Sequence, residues 1–319
     1  MLEGKTIGVV IPAYNEEVLI KKTLSTMPEF VDKMIVVNDG SHDKTQKVIE
    51  GFQKKNKKII LINHEKNAGL GQSLITGYLK AREEELDIIA VMAGDAQMNP
   101  DDLQNIIQPI VQSRCDYVKG NRLLREEVIE RMPRHRFIGN AFLTLLTKFS
   151  TGYWSVIDPQ CGYTAISKKA LSIIPINEMI KGYGYNADIL NMLNLNNFKV
   201  TDIEVEPVYG DEKSKIKLKK YIPSISKLLI RLFFKRITHK YAIREFHPLF
   251  FFYVLSILNG VFLTVPLSIR FLYLYFTLGT VPSTTLIILY FSMVMALFSL
   301  FFAMWLDMED NKKLIGSAE

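Results

Sequence analysis

The chain has 319 residues, 48% of them hydrophobic, enough for one large domain or two smaller ones with a sizeable core. Its formal charge of +6 is unevenly placed: residues 213–247 carry eleven Lys and Arg against one Glu, a local +10, so the remainder sums to −4. With the charge gathered there and no basic-plus-aromatic recognition module, nucleic acid is not an expected partner, and two cysteines, Cys115 and Cys161, support neither a disulfide framework nor a zinc site.

In chain order, apolar runs at 6–11, 33–37, 59–62 and 88–92, with a short one near Tyr117, read as strands. Amphipathic stretches at 18–27, 45–53, 70–81 and 103–111 read as the helices between them. Short strands alternating with longer helices predict a doubly wound, mainly parallel α/β sheet. Ligands of such sheets lie beyond the carboxyl ends of the strands, so the residues just after each strand carry the chemistry. Residues 1–5 lead into the first strand without the pattern of a secretory signal, so export is not expected.

After this domain, 216–244 interleaves Leu, Ile and Phe with Lys and Arg, as an amphipathic helix lying on lipid headgroups does, with Pro223 beginning or breaking it. Residues 248–269 and 284–306 hold no charged side chain, and each is long enough at ~1.5 Å per residue to cross a ~30 Å hydrocarbon core. The linker 270–283 has one positive charge against eleven on the preceding flank, which puts the N-terminal domain, and 307–319 with it, in the cytosol. The expected division is an α/β domain at 1–212, basic interfacial helices at 213–247, a two-helix anchor at 248–306 and a cytosolic tail at 307–319.

Three strand ends carry polar clusters: Pro12-Ala13-Tyr14-Asn15-Glu16, Asn38-Asp39-Gly40-Ser41 and Ala93-Gly94-Asp95-Ala96-Gln97. Singly, each is ordinary turn and helix-start chemistry. Together they set an aromatic ring and several carboxylates on one rim, which suits a nucleotide: a wall for the base, acceptors for base and ribose, and a carboxylate-held cation on the diphosphate. Neither GxGxxG nor GxxxxGK[ST] is present, so the dinucleotide and P-loop readings lack their usual support.

On these motifs the sequence resembles the family 2 glycosyltransferases of the GT-A fold (Rossmann-like, mainly parallel sheet), and among them the polyprenyl and dolichyl phosphate mannose and glucose synthases. The resemblance covers about 6–215. It implies that Pro12, Tyr14 and Glu16 line the nucleobase and that Asp39, with Ser41 beside it, binds the nucleoside. The family's aspartate-x-aspartate-x-glutamine stands here as Ala93-Gly94-Asp95-Ala96-Gln97, so Asp95 and Gln97 are implied at the metal and diphosphate, while Ala93 departs from the pattern. Gly120-Asn121-Arg122 is similar to the family's glycine-serine-arginine, whose arginine faces the phosphates. Asp158-Pro159-Gln160-Cys161-Gly162-Tyr163 resembles the motif bordering acceptor and sugar, and Asp188 falls in an acidic position near the sugar or a helix start. Glu212-Lys213-Ser214-Lys215 resembles the loop that closes on the phosphates, which implicates Ser214 and Lys215.

What the resemblance implies is an inverting hexosyltransferase with catalytic Asp95, Gln97, Arg122, Asp158 and Asp188, a Mg²⁺ or Mn²⁺ cofactor, a GDP- or UDP-sugar donor and a polyprenyl or dolichyl phosphate acceptor in the bilayer. A homo-oligomer is compatible with this. Two alternatives stay open: transfer to a glycolipid or polysaccharide, with Asp158 or Asp188 as general base, and a non-catalytic membrane protein that binds nucleotide sugar. His64, His135 and the other histidines are expected to be structural or surface residues.

Overall fold

The computed structural model describes residues 1–123, 134–206, 208 and 218–318, with no side-chain detail at 134–138 and 218–221. The chain forms two compact units, Met1–Phe233 with Lys313–Glu319, and Phe234–Lys312.

In the first unit seven strands form one sheet: β1 Ile7–Ala13, β2 Lys33–Asn38, β3 Ile59–Asn63, β4 Ile88–Val91, β5 Tyr117–Asn121, β6 Thr164–Ser167 and β7 Val200–Glu204. Their order is β3-β2-β1-β4-β6-β5-β7. Neighbours run parallel except β6, which is antiparallel to both β4 and β5. The expected strands and the mainly parallel sheet are present. β6 was not expected, because four residues are too few to establish a two-residue period.

Both sheet faces are covered, which is why the strands read as unbroken apolar runs. Val9, Ile11 and Val36 face one way, onto Ile20 of helix Leu19–Ser25 and onto Leu103, Ile106 and Ile107 of helix Leu103–Val111. Val10, Ile35 and Val37 face the other way, onto Leu74 and Tyr78 of helix Leu70–Glu83 and Leu190 and Leu193 of helix Tyr185–Leu195. The register aligns Ile60, Ile35, Val10, Val91, Thr164 and Lys119 across six strands. Everything just past that line on the parallel strands emerges on one rim.

The expected tail is corrected at its end: residues 313–318 belong to the first unit. Leu314 is 2% exposed within its core, Ile315 pairs in parallel with Val200, and the Gly316 amide donates to the Val200 carbonyl at 2.9 Å. An apolar Leu-Ile pair facing the edge strand β7 covers backbone groups that would otherwise stand open.

The expected interfacial segment contains helix Leu218–Arg236, and Pro223 lies within it rather than breaking it. Ile225, Leu229 and Leu232 of this helix are buried against Ala187, with Leu143 and Leu146 of helix Arg134–Thr151 alongside, while Ile222 and Ile230 stay exposed. Its apolar residues thus divide between two faces, one of them spent on the protein itself.

The second unit holds two helices long and apolar enough to cross a membrane, Pro248–Leu278 and Ser283–Leu314, the latter running past the unit's end. The first continues through a π-helical turn, Leu258–Thr264, past the expected end at 269, and takes most of the 270–283 linker into helix. No glycine or proline follows Pro266 until Gly279, which ends the helix at φ +66°. Inside this unit Arg236 is fully buried and grips Asp307 through two contacts of 2.7 Å. The Tyr241 hydroxyl donates to Asp310 at 2.9 Å and accepts from Asn311 at 2.8 Å. A buried charge pair of this kind is tolerated only where its remaining lone pairs are also met.

Candidate functional site

The loops after β1, β2 and β4 are tied together by backbone bonds. The Asp39 amide donates to the Ala13 carbonyl at 2.9 Å, and the Gly94 amide to the Pro12 carbonyl at 3.0 Å. Side chains close the first two loops on each other. The Asn15 amide donates to Ser41 Oγ at 3.0 Å, the His42 amide to Asn15 Oδ1 at 2.9 Å, and the Glu16 amide to Thr45 Oγ1 at 2.8 Å. Tyr14, half-buried, meets the His42 ring edge-on at 6.4 Å between centroids. Pro12, Tyr14, Glu16, Asp39, Ser41 and Asp95 therefore occupy one rim, as the strand-end reading requires.

Asp39 is buried and its carboxylate is held at three points: Oδ1 accepts from the Ala68 amide and from His64 Nδ1 at 2.7 Å, and Oδ2 accepts from the Gly69 amide. His64, expected only as a structural or surface residue, is thus the partner of a strand-end carboxylate. His64 directly follows β3, just as Asp39 directly follows the adjacent β2. With Nδ1–H donating to Asp39, Nε2 is left to accept from the Thr76 hydroxyl, 3.0 Å away. Gly40 has φ +67°, and a Cβ there would lie 2.6 Å from the Asn67 nitrogen, so only glycine lets the 66–69 loop close on Asp39.

Asp188 is buried in the first turn of helix Tyr185–Leu195, and one of its oxygens accepts from the Ile180 amide at 2.9 Å. The Ile180 carbonyl lies 2.1 Å from where a Gly71 Cβ would sit. Asp188 thus braces the segment packed against the start of helix Leu70–Glu83, next to the amides that hold Asp39.

Asp95 is half-buried, and burial pushes its carboxyl above the ordinary carboxylate range. Its Oδ1 accepts from the Gln97 amide at 3.1 Å across Ala96, which has φ +55°, an uncommon conformation for a residue with a side chain. Gln97 itself is exposed. Among the described residues no three His, Cys, Asp or Glu side chains form a metal cage. One carboxylate, with the exposed Gln97 side chain two residues on, suits a hard cation that keeps waters and ligand phosphates as most of its shell, as Mg²⁺ does.

Arg122 follows β5 and Asp158 precedes β6, so the antiparallel strand returns its N-terminal flank to the same rim. Arg122 Nε donates to Asp158 Oδ2 at 2.8 Å and Nη2 to Oδ1 at 3.2 Å. The arginine side chain is 42% exposed and the aspartate 3%, so the guanidinium stands at the mouth with its counter-ion behind it. Burial alone would raise the Asp158 carboxyl, but the Arg122 hydrogen bond and charge hold it below the usual range. Ser214 and Lys215 lie outside the described residues.

Three polar residues behind this pair escaped the sequence reading. Lys119 is fully buried and donates to the Cys161 carbonyl at 2.6 Å and to Asn186 Oδ1 at 3.0 Å, and burial lowers its pKa. Asn186 in turn donates to the Gln160 carbonyl at 3.4 Å. Asp202, the register partner of Lys119 on β7, accepts from Asn121 Nδ2 at 3.0 Å and from the Ile157 amide at 2.8 Å. A lysine at the centre of a short strand was the available signal for this cluster. A separate cleft of about 440 Å³, lined by Lys22, Thr26, Met98, Asp101 and Glu206 among others, includes Ala96 but neither Asp95 nor Asp39.

Known proteins are similar to this chain in sequence and fold. A UDP-N-acetylglucosamine–dolichyl-phosphate N-acetylglucosaminyltransferase of Methanococcus voltae is 33% identical over 223 residues, 66% of this chain and 88% of that protein. A dolichyl-phosphate beta-glucosyltransferase of Trichomonas vaginalis is 28% identical over 225 residues, 65% of each chain. The crystal structure of glucosyl-3-phosphoglycerate synthase from Mycobacterium tuberculosis with Mn²⁺, UDP and glucosyl-3-phosphoglycerate superposes with a TM-score of 0.55 at 19% identity, covering 73% of this chain and 80% of that one. That likeness fixes the fold as GT-A. Since the family model for glycosyl transferase family 2 matches residues 8–174, over the strands and loops that build this rim, the chain belongs to glycosyl transferase family 2.

Proposed function

We propose that this protein transfers a sugar from a nucleotide-sugar donor to dolichyl or another polyprenyl phosphate, working at the cytosolic face of the membrane that holds its two C-terminal helices. The observation that carries the reading is the single rim on which the Tyr14, Asp39 and Asp95 loops meet, with the Arg122–Asp158 pair at the neighbouring strand ends. Support for the acceptor comes from relatives named as dolichyl-phosphate glycosyltransferases, which carry GlcNAc and glucose; mannose, GlcNAc and glucose are all candidate sugars.

In this reading Pro12, Tyr14 and Glu16 wall the base, and Asp39 and Ser41 order the nucleoside side of the rim. Asp95 and Gln97 would hold a Mg²⁺ or Mn²⁺, which when bound supplies charge neutralisation to the departing diphosphate. Structures of the mycobacterial synthase with Mn²⁺ or Mg²⁺ and UDP support such a cation here. Arg122 adds a fixed positive charge at the mouth, and Ser214 and Lys215 are further candidates for the phosphates. The acceptor phosphate is already an anion, so its oxygen attacks the anomeric carbon as the sugar–diphosphate bond breaks, and no strong general base is required. That fits the carboxylates present: Asp158 is held ionised by Arg122 and Asp188 is engaged with Ile180, so neither is poised to take a proton. The same fact weighs against an acceptor with a neutral hydroxyl.

A polyprenyl chain leaves the bilayer at a cost of ~0.8 kcal/mol per exposed methylene, so the acceptor phosphate is best met at the membrane surface. The two long apolar helices support membrane residence. To test the proposal, full-length protein in liposomes containing polyprenyl phosphate is given a panel of radiolabelled nucleotide sugars, and label is counted in the organic phase. One donor should label the lipid, and Asp95→Ala should abolish transfer while inserting normally. No transfer from any donor, or full turnover by purified Asp95→Ala, would reject the assignment.

A further inference from the structure

Asp202 lies on edge strand β7, and one of its oxygens does two jobs. Oδ2 accepts the Ile157 amide at 2.8 Å and Asn121 Nδ2 at 3.0 Å. Ile157 immediately precedes Asp158, and Asn121 immediately precedes Arg122. A single carboxylate oxygen therefore ties together the two residues adjoining the two ends of the ion pair. The second oxygen, Oδ1, is buried without a hydrogen-bond partner among the described residues. An orphaned acceptor of this kind costs stability, and a neutral side chain at an edge strand would avoid that cost.

We propose that Asp202 is a positioning residue for the Arg122–Asp158 pair, fixing the spacing between the β5 end and the segment before β6. It touches neither donor nor acceptor in this reading and acts through the two residues it holds. The neighbouring Asn121 Oδ1 accepts the Leu123 amide at 3.0 Å, so orienting the Asn121 amide also orders the backbone on the far side of Arg122. The inference rests on the transferase reading for its kinetic consequence, but its structural half does not.

The test compares Asp202→Asn with Asp202→Leu in the full-length protein. Asparagine keeps an oxygen that can accept both bonds; leucine keeps the volume and loses them. Asp202→Leu should lower kcat by roughly 30- to 100-fold, the scale of a misplaced catalytic group, with donor KM changed less than about threefold. Asp202→Asn should recover most of that kcat. Hydrogen exchange at the Ile157 amide, read without any substrate, should be slow in the wild type and Asp202→Asn and fast in Asp202→Leu. Equal losses in the two variants, or wild-type kcat together with slow Ile157 exchange in Asp202→Leu, would overturn the proposal. Should the wild type turn over no sugar at all, the transferase reading fails by itself, and the exchange comparison still decides whether Asp202 positions the pair.

Discussion

Arg122 and Asp158 face each other through two nitrogen–oxygen contacts, 2.8 and 3.2 Å, with the arginine at the solvent side and the aspartate almost completely enclosed. The pair joins β5 and β6, which the sheet order separates from β2, the strand that ends at the Asp39 loop, by β1 and β4. A guanidinium can hold a carboxylate at two points and still present charge outward, which a lysine ammonium cannot.

Replacing either partner should therefore disable the same element. Arg122→Lys and Asp158→Asn are each expected to lower kcat by about tenfold or more, and the double variant should fall little further. Steady-state kinetics on the three variants should give a coupling energy of about 1–3 kcal/mol, as expected of residues in direct contact. Strictly additive losses would mean that the two act separately.

Cation dependence is the second prediction. A chelator should abolish transfer, and Mg²⁺ or Mn²⁺ should restore it to the wild type but not to Asp95→Ala. Because Ala93 stands where the family has a carboxylate, Ala93→Asp should lower the half-saturating Mg²⁺ concentration, on the order of three- to tenfold, by adding a ligand oxygen. Titrating metal against initial rate checks this, and an unchanged titration would place position 93 away from the cation.

Burial pushes the Asp202 carboxyl up to about 6, even though Lys119, the Ile157 amide and Asn121 pull it down; Asp158 adds to the rise, and Lys148 faces the cluster from helix Arg134–Thr151. The folded chain thus binds this proton more tightly than the unfolded one does. Asp202 favours folding most below the ordinary carboxylate pKa of about 3.9, loses that contribution as pH rises to about 6, and costs a constant amount above it, on the order of 1–3 kcal/mol. Asp202→Asn should accordingly melt higher than wild type at pH 7, with the difference shrinking towards pH 4. Thermal melts of both proteins at the two pH values provide the comparison.

The docked C-terminal segment gives the fourth. Leu314 is 2% exposed in the core of the first unit, so Leu314→Ala should cost roughly 2–4 kcal/mol and lower that unit's melting temperature by several degrees. The Gly316 amide, bonded to the Val200 carbonyl, should lose its exchange protection in the same variant. Unaltered melting and protection would show that the segment contributes nothing there.

Strands β1 to β5 and the helices between them were legible in the sequence because apolar period and turn residues are local signals. Tyr14, Asp39 and Asp95 were legible for a related reason: in a parallel sheet, a polar residue just past a strand has one rim to occupy. His64 followed the same rule and was passed over, since its partner is a residue 25 positions away whose direction only the folded loop reveals. Lys119 and Asp202 were not readable as a pair at all, being 83 positions apart and neighbours only through the β5–β7 register.

The sequence by itself therefore determined the element types, the strand-end chemistry and the two long apolar helices, because each depends on residues within a few positions of one another. The tertiary structure alone decided that β6 runs backwards, bringing Asp158 to Arg122, and that Leu314 and Ile315 close the β7 edge. Those outcomes turn on which distant backbone groups find hydrogen-bond partners and which apolar side chains find a buried surface, and contacts of that range leave no periodic trace in the chain.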